Sequence, residues 1–154
     1  PPPPFVELSF STCKRHSEDP IPKHKTLNYL FNVLVKREAQ KRGYYDCVIL
    51  NEKGHITETA SANIIILKKG ELLTPHRESG LLLGTTLQIL MEKAKVKEVF
   101  ITPEELLSSD SVFITNSLIG VVPVKRIERK EFSWDRDLLE KLKDLIREED
   151  EAIP

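Results

Sequence analysis

The hydrophobic positions along the chain follow two periods, and their order predicts a mixed α/β domain. Short apolar runs with a β-branched bias predict strands, and turn residues separate them. The predicted strands cover residues 5–10, 45–50, 55–57, 64–67, 71–74, 96–101, 111–115 and 120–124. Residues 11–23 are polar, contain Pro20 and Pro22, and are expected to form a loop.

Helical spacing replaces this pattern in four places. Within residues 26–43 the apolar residues fall three and four apart, which predicts a helix that packs through one stripe. A second helix is expected from Gly84, a short third one from Thr102 and a fourth from Ser133, with a solvated acidic tail at 148–151. The stripe of the first helix consists of Leu27, Leu30, Phe31, Leu34 and Val35.

The stretch from Tyr45 to Ile66 is typical of strand, turn, strand, tight loop and strand, and it contains one carboxylate between apolar runs. This carboxylate is Glu58, and small residues follow it. A buried carboxylate requires a cationic or hydrogen-bonding partner, and small residues would let a flat ligand approach the backbone. A satisfied glutamate at a strand end, followed by an ordinary turn, accounts for the same pattern. The residues alone leave both interpretations open.

The segment Gly84-Thr85-Thr86 begins the second predicted helix. Free backbone N–H groups, two hydroxyls and the positive end of the helix dipole form an anion site in principle. An ordinary threonine N-cap explains the same residues, and the pattern leaves this alternative open. Lys25 stands at the entrance of the first helix, where the dipole disfavours a cation, so a reason other than capping is expected.

The composition fits one globular domain of 154 residues that carries a net charge of -1. This balance gives no electrostatic attraction to nucleic acid or to an anionic membrane. We find no apolar stretch of membrane-spanning length and no signal-peptide pattern, so a cytoplasmic protein is predicted. Cys13 and Cys47 lack the spacing of metal ligands, and no metal site is expected. Residues 1–4 are prolines and are expected to form an extended linker.

Several short motifs occur in a consistent order, and together they resemble the class IV pyridoxal-phosphate-dependent aminotransferase and lyase family. The resemblance runs from about Val6 to about Val124. It implies the C-terminal, cofactor-binding domain of the D-amino acid aminotransferase-like enzymes (fold type IV), a mixed sheet or pseudo-barrel with packing helices. It assigns residues 5–154 to this domain and leaves the family's N-terminal domain outside the chain. The motifs are Lys25-Thr26-Leu27-Asn28-Tyr29, Thr57-Glu58 with Ser61-Ala62-Asn63, Gly84-Thr85-Thr86, and Asn116-Ser117 before Val122-Pro123-Val124.

The resemblance also implies a role for each matching residue. Lys25 matches the lysine that binds the cofactor covalently and then transfers a proton, which requires a neutral amine. Glu58 matches the carboxylate that pairs with the pyridine nitrogen, and Tyr29 lies near the tyrosine that reaches the ring hydroxyl. Leu87 stands where many members carry arginine, and its place on the packing stripe suggests a structural role. The residues expected near the cofactor phosphate are Thr85, Thr86, Asn116 and Ser117.

Within the family, the run from Asn116 to Val124 is most similar to the 4-amino-4-deoxychorismate lyases. These enzymes release pyruvate and 4-aminobenzoate on the way to folate. The resemblance therefore implies a homodimeric lyase that acts on a small amino-acid-like substrate. The isolated chain is expected to be inactive, because the N-terminal domain normally supplies a phosphate-binding arginine and much of the substrate pocket. The alternatives are a branched-chain or D-amino acid aminotransferase and a catalytically silent fragment of such an enzyme.

Overall fold

The computed structural model describes the backbone of residues 1–19 and 25–152 and, within these ranges, the side chains of all residues except 25–27 and 152. The strands are β1 (Val6–Arg15), β2 (Asp46–Asn51), β3 (Ile56–Thr59), β4 (Asn63–Lys68), β5 (Glu71–Pro75), β6 (Lys97–Val99), β7 (Ser111–Asn116), β8 (Gly120–Ile127) and β9 (Lys130–Glu131). The helices are α1 (Lys25–Lys41), α2 (Thr85–Lys93), α3 (Pro103–Leu107) and α4 (Arg136–Ala152), with a short 3-10 helix at Arg77–Ser79.

One mixed sheet contains all the strands of the described residues. Its order is β3-β2-β1-β8-β7-β4-β5-β6, and β9 pairs with β8. The pairs β1–β2, β1–β8 and β5–β6 are parallel, and the other pairs are antiparallel. The sheet is curled, and a hydrogen bond connects its two edges. The backbone N–H of Ile56 in β3 donates to the carbonyl of Ile101, which follows β6 at the opposite edge (2.7 Å). The prediction of a mixed sheet with packing helices is confirmed.

The two faces of the curled sheet bury different sets of side chains. Alternate residues of six strands, such as Leu8, Val48 and Ile64, form the larger cluster, and α3 adds Leu106 to it. On the opposite face α2 and α4 cover one half of the sheet around Phe113. Helix α1 covers the other half through a smaller cluster of buried residues, namely Val35, Ala39, Cys47 and Ile49. The helices therefore leave the ends of the central strands free to form a site.

Strand β1 is longer than predicted. It continues through residues 11–15, although the polar composition of this segment predicts a loop. Residues 14 and 15 pair with Leu50 and Asn51 of β2. The hydroxyls of Ser11 and Thr12 donate to the carboxylate of Glu38 in α1 (2.7 Å each), which satisfies these polar side chains. Burial opposes ionisation of Glu38, yet the hydrogen bonds from Ser11 and Thr12 outweigh it and lower the pKa of this carboxyl. The extension brings Arg15 to the end of the strand.

Helix α1 packs through a narrower face than its apolar stripe predicted. Val35 is fully buried, whereas Leu30 and Leu34 are 52% and 59% exposed. The inward positions are shared with polar residues, since Asn32 and Glu38 both bond to β1 side chains. The helix therefore turns part of its apolar stripe away from the sheet.

Three smaller predictions also differ from the structure. Glu58 lies inside β3 rather than after it, and the predicted strand 96–101 is shortened to β6. The acidic residues 148–151 belong to α4 instead of forming a tail, because the apolar stripe of this helix, with Leu142 and Ile146, packs against α2 and holds the helix to its end.

Candidate active site

The ends of several elements meet at one edge of the central strands. Glu58 is the next-to-last residue of β3, and Asn63 begins β4. The side chain of Asn63 bonds to the backbone N–H of Gly84, the residue before α2 (3.0 Å). The side chain of Asn116, the last residue of β7, donates to the carbonyl of Ser61 (2.8 Å). Hydrogen bonds thus join the loop after Glu58, the start of α2 and the end of β7 into one network.

Glu58 forms a buried ion pair that the sequence did not identify. Its partner is Arg15, whose guanidinium bonds to the Glu58 carboxylate; the two side chains are 14% and 6% exposed, in that order. Arg15 also donates to the Asn32 side chain (2.7 Å) and to the carbonyl of Gly80 (3.4 Å). The sequence indicated that a buried carboxylate needs a partner, and the choice of Arg15 depends on the unexpected length of β1. This arginine connects β1, β3, α1 and the loop before α2.

Two opposing effects determine whether the Glu58 carboxyl is ionised. Burial raises the pKa of this carboxyl to about 7, and the adjacent Arg15 acts in the opposite direction. A second cation placed beside Glu58, such as a protonated ring nitrogen, would favour the ionised form further. The site therefore has a carboxylate that responds to the charge of whatever contacts it.

The start of α2 has features that suit an anion in principle. Gly84 is the N-cap residue and makes no side-chain cap hydrogen bond, and no acidic residue lies in the first turn. Thr85 is exposed and Thr86 is buried. Backbone N–H groups at such a helix start, together with the helix dipole, favour phosphate or carboxylate ligands. Leu87, in turn, is fully buried in the cluster under α2, as its place on the stripe suggested.

Asn116 has a structural role in the loop that follows β7. Its side-chain oxygen accepts from the backbone N–H groups of Leu118 and Ile119 (2.9 Å each), while its amide holds Ser61. Ser117 is exposed at the tip of this loop. The loop therefore exposes Ser117, whereas the side chain of Asn116 bonds to the protein itself.

The two remaining predicted residues lie on α1. This helix begins at Lys25, whose side chain lies outside the described residues, so the role that the resemblance implies for it stays a prediction. Tyr29 is 69% exposed. Asn32, which bonds to Arg15, follows Lys25 by seven residues, or about 10 Å of helix. The Arg15–Asn32 contact thus ties the first half of α1 to the ion pair at Glu58.

A second buried carboxylate shapes the turn after Glu58, and the sequence did not point to it. Asp46 is fully buried and accepts from the backbone N–H groups of Ala60 and Ser61 (3.1 Å each) and from the Ser61 hydroxyl (2.6 Å). Lys36 lies 3.7 Å from it. Asp46 therefore fixes the turn whose carbonyl at Ser61 binds Asn116.

Residues 1–19 and 25–152 contain no group of three or more histidine, cysteine or acidic residues able to hold a metal ion. No helix within the same ranges has the length and apolar character needed to cross a bilayer. Cys13 and Cys47 are free thiols, and burial raises the pKa of Cys47 to about 11, as expected for a small buried thiol.

Comparison with known proteins identifies the family. The model of the family described as "Amino-transferase class IV" matches residues 1–127, so the chain belongs to this family of pyridoxal-phosphate-dependent enzymes. The branched-chain-amino-acid aminotransferase of Escherichia coli (strain K12) is 33% identical over 130 residues, which are 80% of this chain and 42% of that protein. The resemblance expected from the motifs is confirmed.

Solved structures confirm the fold. The branched-chain aminotransferase of Thermoproteus uzoniensis with norvaline has a TM-score of 0.85 at 27% identity and matches 93% of this chain and 50% of that one. A Legionella pneumophila protein, provisionally described as a 4-amino-4-deoxychorismate lyase, has a TM-score of 0.84 at 29% identity and matches 96% and 57%. The chain spans about two fifths of the length of the curated relatives and about half that of the solved ones.

Proposed function

We propose that this chain is the cofactor-binding domain of a pyridoxal-phosphate-dependent enzyme. The observation that carries the proposal is the pairing of a buried carboxylate, Glu58, with an uncapped helix start at Gly84, both bonded to one side chain. A protonated pyridine nitrogen fits the first, and a phosphate fits the second. The residues present therefore suit the two ends of this cofactor.

The residues of the chain divide the chemistry between them. Pyridoxal phosphate, when bound, supplies an electron sink for charge that develops at the substrate α-carbon. Glu58 would keep the proton on the ring nitrogen, and Arg15 would hold this carboxylate ionised and in place. Lys25 would bind the cofactor covalently and, once released, accept the proton from the α-carbon. The first turn of α2 and Ser117 would hold the phosphate.

We further propose that the reaction is the lyase reaction, with release of pyruvate and 4-aminobenzoate. The support is the run from Asn116 to Val124, in which Asn116 bonds to the two residues after Ser117 and so exposes the serine. A branched-chain aminotransferase is the second candidate, favoured by the E. coli relative. Both reactions begin with proton removal by the same lysine, so the cofactor contacts of this domain serve either one.

Cofactor binding is tested by adding pyridoxal phosphate to the purified 154-residue chain and following the absorbance of the lysine-bound form. We expect weak but saturable binding that is lost in Lys25→Ala and retained in Lys41→Ala, a lysine at the far end of the same helix. Equal behaviour of the two variants would contradict the role of Lys25. The absence of saturable binding by the unaltered chain would refute the proposed function.

The reaction class is tested under single-turnover conditions, because turnover by this chain is expected to be very slow. The loaded chain is incubated with aminodeoxychorismate or with L-leucine, and the products are quantified. Formation of pyruvate and 4-aminobenzoate in stoichiometric amounts supports the lyase. Formation of the 2-oxo acid of leucine, without 4-aminobenzoate, would favour the aminotransferase.

We also propose that the chain associates with a second copy of itself and that the protein is cytoplasmic. The outward side chains of α1 form an exposed apolar patch made of Tyr29, Leu30 and Leu34. Exposed apolar patches on folded domains mark interaction surfaces. The oligomeric state measured by light scattering tests this proposal, since a strictly monomeric chain at high concentration would contradict it.

A further inference from the structure

One amide side chain lies between the two ends of the candidate site. Asn63 is buried, with 6% exposure, at the start of β4. Its Nδ2 donates to the carbonyl of Leu82 (2.9 Å) and to Oε1 of Glu58 (3.5 Å). Its Oδ1 accepts from the backbone N–H of Gly84 (3.0 Å). Both faces of the amide are thus in use, one toward the carboxylate and one toward the helix start.

We propose that Asn63 is a positioning residue that couples the carboxylate of Glu58 to the anion-binding start of α2. The inference rests on the proposed function, since the two ends would contact the ring nitrogen and the phosphate of one cofactor. Asn63 would fix the spacing between these contacts. It would also transmit a change in the charge of Glu58 to the backbone of Gly84 and the first turn of α2.

The identity of both residues supports this assignment. The position requires a side chain with donors on one side and an acceptor on the other, which asparagine supplies. An ionised aspartate has only acceptors, so it would repel the Glu58 carboxylate and the Leu82 carbonyl. Gly84 has an ordinary φ of -66°, so its backbone does not require glycine. A Cβ atom there would instead lie 2.8 Å from Oδ1 of Asn63. The close approach of Asn63 therefore accounts for glycine before α2.

The coupling is measurable in the protein without cofactor. The backbone N–H resonance of Gly84 is followed by NMR as the pH is changed through the titration of Glu58, whose pKa is about 7. We expect the Gly84 resonance to shift with the midpoint of Glu58, and Glu58→Gln to abolish the shift. Asn63→Ala is expected to abolish it as well. The same variant should speed hydrogen exchange of the Gly84 N–H about fivefold to tenfold, because its acceptor is lost.

Two further variants make the test specific. Gln40→Ala removes an exposed amide side chain near the end of α1, which takes no part in this network among the hydrogen bonds of the described residues, and the Gly84 titration should be unchanged. Gly84→Ala keeps Asn63 but crowds its Oδ1, and it serves as the second variant if Asn63→Ala does not fold. It should displace the Asn63 amide, and the backbone N–H resonance at position 84 should then lose the response to Glu58.

The outcomes separate this inference from the proposed function. A Gly84 resonance that titrates equally in Asn63→Ala and in the unaltered chain would overturn the coupling, whatever the cofactor does. Binding of pyridoxine 5'-phosphate, which has no aldehyde and so needs no lysine, then measures the anion end. We expect Asn63→Ala to weaken it about fivefold or more. No binding by the unaltered chain, with the NMR coupling present, would refute the cofactor role while retaining the positioning role of Asn63.

Discussion

Replacement of Arg15 should destabilise the protein through the charge that it leaves behind. Arg15→Met removes the guanidinium that pairs with Glu58 and bonds to Asn32 and Gly80. Without this cation the pKa of the Glu58 carboxyl rises further above 7, so at pH 8 the variant must either bury an unpaired charge or take up a proton, and both cost stability. Breaking a buried pair by removing one partner costs about 3 to 5 kcal/mol. For a chain of this length we expect the midpoint of thermal unfolding to fall by roughly 6 to 20 °C.

The double variant isolates the pair from the packing. Glu58→Gln alone removes a charge that burial disfavours, since the pKa of Glu58 is raised to about 7, so at pH 8 it should cost much less than Arg15→Met. Arg15→Met with Glu58→Gln removes both charges, so we expect it to lose less than the sum of the single changes, with a coupling of about 2 to 4 kcal/mol. Urea unfolding followed by circular dichroism at about pH 8 measures the three free energies. Additive losses within about 0.5 kcal/mol would refute the energetic importance of this pair.

Three further predictions concern separate parts of the molecule. Because burial raises the pKa of Glu58 from 4.5 to about 7, the folded state binds the Glu58 proton more tightly than the unfolded state does. The stability that this proton contributes is complete below pH 4.5 and is lost as the pH rises through 7. The urea midpoint should fall over this range and respond less in Glu58→Gln. Thr102→Ala removes the capping box at α3 and should cost about 1 kcal/mol in the same assay, whereas Thr102→Ser should restore most of it. Leu30→Ser with Leu34→Ser should change stability by about 0.5 kcal/mol or less but weaken self-association in light scattering, and unchanged association would exclude this patch as the contact.

Local sequence signals predicted much of the fold. Helix α3 begins after Thr102, as the residues indicated, and α1 ends before Gly43, which has a positive φ of 81°. The apolar runs became the central strands β2, β4 and β7. These elements are determined by interactions between residues close in sequence, or by burial on both faces. Such interactions can be predicted from the sequence alone.

Other features depend on contacts between distant parts of the chain. The strand continues through residues 11–15 because Glu38 of α1 accepts hydrogen bonds from Ser11 and Thr12 and because residues 14 and 15 pair with β2. Arg15 and Glu58 are 43 positions apart, so nothing local pairs them. The exposed Leu34 follows the same periodicity as the buried Val35, and periodicity does not reveal which side of a wide stripe meets the sheet. The motifs therefore indicated Glu58, Asn63 and the start of α2, while Arg15 and the contacts that Asn63 makes required the structure.

The ends of several strands and of one helix meet at the site, and this has a consequence for how the protein folds. Arg15, Glu58, Gly84 and Asn116 span about a hundred positions of sequence, so the site exists only after several large loops have closed. No single segment that folds alone would hold the ligand. A ligand that binds only this complete arrangement adds its binding free energy to the whole fold, about 2.7 kcal/mol at a hundredfold excess over the dissociation constant. Occupancy of the site would thus report the integrity of the entire domain.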